Sequence, residues 1–148
     1  MSLLTSSTPN SGISLSLWRS LRSGVAIAAM VARVRLGLSF GGLNAVRARL
    51  LPEALPATTD FWAARRVGKA VAFVSYFVPF ASCLTQAQAC QIILANRGIH
   101  AVLFLGVQGS GSRSLRSHAW LIVDGRLVTG AGPDLANFRV IATFGPSP

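Results

Sequence analysis

Residues 82–107 read SCLTQAQACQIILANRGIHAVLFLGV, and the periodicity of the chain changes in the middle of that stretch. The spacing of Leu84, Ala87, Gln91 and Leu94 predicts a helix that starts around Ser82 or Cys83. Asn96-Arg97-Gly98 stops it, with Gly98 suited to a left-handed cap. Beyond Gly98 the residues take the pattern of strands. Ile99–Val107 is a buried strand, and Gln108–Arg116 (QGSGSRSLR) is a flexible loop. His118–Val123 and Arg126–Thr129 then flank Asp124-Gly125, the strongest short hairpin signal in the chain. Gly130–Pro133 is a turn and Phe138–Phe144 a last strand.

Upstream of that stretch the reading is helical. Trp18, Leu21, Val25, Ala28, Ala32 and Leu36 recur at three- and four-residue spacing from Leu15 to about Leu38, which predicts a core-packing helix. Gly41-Gly42 breaks it, a short segment runs to Leu51, and Pro52–Pro56 is a loop. Thr58-Thr59-Asp60 supplies N-cap oxygens for a helix from Phe61 through Trp62, Val67, Val71 and Val74, which ends by Pro79. Trp18 and Trp62 are expected as packing residues. Helices first and an antiparallel sheet afterwards is an α+β layout. Three regions follow: residues 1–14, rich in Ser and Thr, as a disordered segment; 15–57 as an N-terminal helical region; 58–148 as the core domain.

Composition narrows the class. At 148 residues the chain is long enough to bury a core without disulfide staples. Half of it is apolar, yet no uninterrupted run of about 20 apolar residues is found, because Arg22 and Arg33 bound Val25–Ala32 and polar residues interrupt 70–95. The N-terminus shows no basic start and apolar segment of the secretory type, so a reducing, cytoplasmic setting is expected. Cys83 and Cys90 on one helix lie about 10.5 Å apart along its axis, which excludes a disulfide between them. Two Cys and two His offer no closed metal site, and no cofactor is expected. The net charge is +10, with Lys69 the single lysine among 14 basic residues and only four acids. The arginines are scattered and no reader motif accompanies them, so nucleic acid is not the expected partner. An acidic peptide, a partner protein or peripheral contact with an anionic membrane suits the charge better.

Cys83 stands at the first turn of its predicted helix. Unpaired N–H groups and the positive end of the helix dipole there favour a thiolate, the nucleophilic form of the side chain. The backbone N–H groups of Cys83 and Leu84 are candidates for an oxyanion hole. Cys90, further along, reads as a buried small hydrophobe. A thiolate nucleophile needs an imidazole within reach. His118, at the start of a strand after a polar loop, suits that role, whereas His100 sits early in an apolar strand and reads as structural or exposed. Trp120 shares the face of His118 and either walls the cleft or packs. A Cys on a helix followed by a His on a strand is the chain order of papain-like folds.

The stretch Cys83-Leu84-Thr85-Gln86-Ala87…Asn96-Arg97-Gly98-Ile99…Leu105-Gly106-Val107…Ser117-His118-Ala119-Trp120-Leu121…Asp124-Gly125-Arg126 resembles the leader peptidases of lasso-peptide biosynthesis, a branch of the transglutaminase-like cysteine peptidases. The likeness covers roughly 81–144, and its HAW…DG segment is the most specific part. It implies a papain/transglutaminase-like fold and a cysteine peptidase that removes the leader from a ribosomal precursor peptide. The implied partners are that precursor, a small leader-recognition protein, and an ATP-dependent cyclase that closes the macrolactam. It also implies an acid that orients the imidazole about twelve residues after the His, a position held here by Gly130. Asp134 is the favoured substitute, with Asn137 an amide alternative and a plain Cys–His dyad the third case. Two rival functions stand beside this one: an amide-forming acyltransferase on the same fold, and a non-catalytic basic adaptor at a membrane surface.

Overall fold

Among the residues that the computed structural model describes (11–53, 58–109 and 115–145, with side chains from Arg22 onward), four helices precede four strands. The helices are α1 (Ser11–Phe40), α2 (Gly42–Leu50), α3 (Phe61–Ser75) and α4 (Cys83–Ala95). The strands are β1 (Val102–Gly109), β2 (Leu115–Val123), β3 (Arg126–Thr129) and β4 (Arg139–Phe144). They form one antiparallel sheet in the order β3-β2-β1-β4. The fold is therefore the α+β arrangement expected.

Local signals place most element ends. Asp60 caps α3, its carboxylate accepting from Ala63 N–H at 2.9 Å, an interaction of about 1 kcal/mol. Ser82 caps α4 by accepting from Thr85 N–H at 3.3 Å. Asp124 and Gly125 both take positive φ, 51° and 68°, as a two-residue turn between right-twisted strands requires. Some boundaries move. α1 begins at Ser11, so Ser11–Ser14 are helical although the composition placed them in a disordered segment; adding residues to an existing helix avoids the cost of nucleation. The remainder of that segment, 1–10, lies outside the described residues. Ile99 forms only an isolated parallel bridge with Thr58, so the first strand starts at Val102. Part of the expected loop is ladder instead, because β1 runs on to pair Gly109 with Leu115; residues 110–114 lie outside the described set.

The core sits between the helices and one face of the sheet. α4 is its centre: Thr85, Ala87, Gln88, Ala89, Cys90, Gln91, Ile92 and Leu94 are all buried. Val31 and Val34 of α1 and Ala64, Val67 and Val71 of α3 join the same cluster, with Leu103, Ala119, Leu121 and Val123 from the strands. The expected inner stripe of α1 is corrected here. Ile27, Val31 and Val34 face the core, while Val25 and Leu36 are 69% and 59% exposed. This helix is apolar on more than one face, so spacing alone did not choose between them. Its segment Arg22–Phe40, with mean hydropathy 1.4, is long and apolar enough to cross a membrane by length and composition, yet three of its residues already serve the core. Trp62 is also corrected: it lies outside at 61% exposure, edge-on to Phe61 with ring centroids 5.5 Å apart.

A buried polar network ties α4 to the sheet and to α2. Gln91 Nε2 donates to the carbonyls of Ala101 (3.0 Å) and Phe144 (2.8 Å). Its Oε1 accepts from Arg47 Nη1 at 2.7 Å, and Arg47 Nη2 donates to Gly145 O at 2.6 Å. The Arg47 guanidinium also stacks over Phe144 at 4.9 Å. Partial burial lowers the pKa of Arg47, so these acceptors help hold the charge where desolvation opposes it. Gln91 of α4 is thus tied to one end of the β1–β4 pair, where β1 begins and β4 finishes.

Candidate active site

Cys83 is the first residue of α4 and is partly exposed; its thiol is free. The capping pattern leaves specific donors open beside it. Ser82 uses its hydroxyl for Thr85 N–H and its carbonyl for Gln86 N–H, at 3.3 and 3.0 Å. The N–H groups of Cys83 and Leu84 have no helical acceptor available, since they precede the first intrahelical bond. These two donors sit at the thiol, at the positive end of a 13-residue helix.

His118 reaches the same cleft from β2. A cavity of about 460 Å³ is lined by Cys83 and Gln86 of α4, Gly68, Lys69 and Ala72 of α3, His118, and Val128–Ala131 at the end of β3. The wall between α3 and β3 depends on Gly68. A Cβ there would come within 2.8 Å of Val128 O and 2.9 Å of Val128 Cγ1, so only glycine permits this approach. Lys69 is the charged side chain among these lining residues apart from the titratable Cys–His pair. Among the described residues no direct hydrogen bond joins the Cys83 thiol to the imidazole. Catalytic hydrogen bonds often tighten only when substrate is bound.

The imidazole is held on three sides. Its Nε2 is 2.9 Å from Gly130 O. Phe138 lies 5.3 Å from it and Trp120 6.1 Å, the latter nearly parallel at 22°. Trp120 is buried and stacks on Phe104 at 5.8 Å; it backs His118 and is not among the residues that line the cleft. Space for the indole comes from Gly106 on β1, where a Cβ would meet Trp120 Cη2 at 2.7 Å.

Asp134 is engaged elsewhere. Its Oδ2 lies 3.6 Å from Arg116 Nη1, and Arg116 in turn stands over the Phe138 ring at 5.8 Å. The contact expected between an acid and the imidazole is made by a main-chain carbonyl instead. Asn137 belongs to a short 3-10 turn, Leu135–Asn137, and is exposed. His100 is exposed and outside the cleft, its backbone N–H bonded to Thr58 O at 2.9 Å. Cys90 is fully buried, and that burial pushes its thiol up to about 12, so it stays protonated and inert. Of the residues singled out from the sequence, the structure thus brings together Cys83, Leu84 and His118. It adds Lys69 and Gln86, which had no distinguishing local signal, and it puts the main chain of Gly130, the residue at the position where the resemblance implies an acid, against the imidazole.

The chain matches the family model described as the transglutaminase-like superfamily over residues 23–143, most of its length and inclusive of the helical half. Comparison with curated proteins and with solved structures finds no match.

Proposed function

The chain belongs to the transglutaminase-like superfamily, and on that premise we propose that it is a cysteine peptidase with Cys83 as nucleophile and His118 as general base. The family points to cysteine-peptidase or acyl-transfer chemistry. The observation that carries the peptidase reading is the convergence of a helix-head thiol, two open N–H donors and a tethered imidazole on one cleft.

In this mechanism His118 takes the proton of Cys83, and the thiolate attacks the scissile carbonyl carbon. The oxygen, now negative, is held by the N–H groups of Cys83 and Leu84. His118 returns the proton to the departing amine as the C–N bond breaks, which leaves a thioester on Cys83. A water molecule, deprotonated by His118, then releases the acid and restores the thiol.

The substrate we propose is the leader–core junction of a lasso precursor peptide, cleaved in the cytoplasm before a partner ATP-dependent cyclase forms the macrolactam. A leader-recognition protein presents the precursor. Support for this finer reading is the sequence likeness of the Cys83 helix and the His118-Ala119-Trp120…Asp124-Gly125 hairpin. The test is incubation of precursor with the protein and the recognition partner, with masses of leader and core read by mass spectrometry. Wild type is expected to release both fragments and Cys83→Ala neither; cleavage by Cys83→Ala would sink the mechanism. The superfamily's acyl-transfer chemistry differs only in the acceptor, and added free amines would then appear on the acyl fragment.

A further inference from the structure

We infer that the main-chain carbonyl of Gly130, and not a carboxylate, orients His118, so that the imidazole works from Nδ1 while Nε2 keeps its proton. The inference rests on the Cys83–His118 reading above and specifies how that pair is held.

A carbonyl oxygen only accepts hydrogen bonds, so the 2.9 Å contact at Nε2 places the proton on that nitrogen. A neutral imidazole carries one N–H, and Nδ1 is left with its lone pair as the base. When Nδ1 takes the Cys83 proton, the ring becomes imidazolium and the Nε2–H···O=C bond remains. When Nδ1 gives the proton to the leaving amine, that bond is again undisturbed. Gly130 O therefore serves every step without changing protonation, and it fixes which nitrogen does the work.

The backbone at Gly130 is shaped for this contact. Its φ is +86°, and a Cβ would lie 2.6 Å from Ala119 O and from Trp120 Cβ, and 2.7 Å from Trp120 Cα. The chain after β3 thus presses main chain to main chain against β2, one and two residues beyond His118. No side chain fits in that gap, so position 130 supplies a carbonyl to the imidazole where a carboxylate has no room. Asp134 is held by Arg116 at 3.6 Å, with Arg116 seated over Phe138. Phe138 and Trp120 limit rotation of the imidazole, so one neutral acceptor is enough to set its direction.

The test has two parts, neither of which needs the substrate. Two-bond 1H–15N spectra of 15N-histidine-labelled protein, assigned with His100→Gln, report the tautomer of neutral His118. The Nε2–H form is expected; the Nδ1–H form overturns the inference. Iodoacetamide labelling of Cys83, resolved by mass spectrometry, is then compared across variants. Asp134→Ala is expected to label within about twofold of wild type, while His118→Ala falls by about tenfold or more. Asp134→Ala is a safe variant because the pair it removes is exposed, 60% and 48% at its two side chains. A fall with Asp134→Ala as large as with His118→Ala overturns the inference. The Nδ1–H form alongside His118-dependent labelling removes this inference alone; labelling that ignores His118 removes the peptidase reading as well.

Discussion

The two cysteines should differ in reactivity by far more than their seven-residue separation on one helix suggests. Cys90 is 0% exposed and its thiol sits at about 12. At pH 8 it is ionised to about one part in ten thousand, against about a quarter for an ordinary free thiol with a pKa of ~8.5. That difference in thiolate population is roughly 2,000-fold. Nucleophilicity works in the opposite direction, since a more basic thiolate attacks faster with a Brønsted slope of about 0.45, recovering roughly 40-fold. Ionisation therefore still wins, by roughly 50-fold, before access is considered. Burial in the middle of α4 adds to this, because the reagent reaches Cys90 only when the helix packing opens. Native protein treated with iodoacetamide at pH 8 should thus acquire its first label at Cys83, with Cys90 modified far more slowly because it is both protonated and buried. In denaturant both should react alike. Peptide-resolved mass spectrometry over a time course gives both rates in one sample. Native labelling of Cys90 within tenfold of Cys83 would refute the placement of α4 at the centre of the core.

Four further outcomes are expected. The raised Cys90 thiol stabilises the fold below the unfolded-state value of ~8.5, and that stability is lost as pH rises toward 12; the loss approaches ~1.4 kcal/mol per pH unit, so urea unfolding from pH 9 to 11 should fall more steeply for wild type than for Cys90→Ala. Gln91→Ala strands the Ala101 and Phe144 carbonyls and takes one acceptor from Arg47, at a side chain 1% exposed, and should cost on the order of 2–4 kcal/mol by urea titration; a loss under ~1 kcal/mol would show that water replaces the network. Gly68→Ala drives a Cβ against Val128 O, and should cost ~1–3 kcal/mol while slowing Cys83 labelling through the displaced cleft wall; unchanged stability would show that α3 and β3 separate freely. Asp60→Ala removes the α3 cap and should lower stability by ~1 kcal/mol with labelling of Cys83 unaltered.

Much of the architecture was legible because its signals act over a few residues. A carboxylate three positions before an N–H, a glycine at positive φ after a helix and an Asp-Gly pair between apolar runs each specify main-chain geometry locally. The change of period at Gly98 separates helices from strands for the same reason, and it is enough to announce an α+β chain. The thiol at a helix head and the His on the hairpin strand were legible in the same way, as positions within elements.

What remained depended on which surfaces meet. α1 carries apolar residues on more than one face, so its inner stripe of Ile27, Val31 and Val34 is chosen by α3 and α4 and not by its own spacing. Trp62 is outside because the α3 residues turned inward are Ala64, Val67 and Val71, which leave room for α4 and the sheet. Trp120 lies behind the imidazole because Gly106, on the neighbouring strand, opens the space for it. The partner of His118 was the least visible of all. The resemblance marked position 130, but with glycine there no side chain could be expected to make the contact; the carbonyl comes into place when the turn after β3 packs against β2 closely enough to exclude any side chain. Asp134, the acid nearest in sequence to Gly130, lies instead 3.6 Å from Arg116 at the surface, a proximity that is itself a product of the fold. The sequence by itself determined the order of elements, their caps and the positions of Cys83 and His118 within them. Tertiary structure alone decided how those residues are aimed, because aim is set by contacts between segments far apart in the chain.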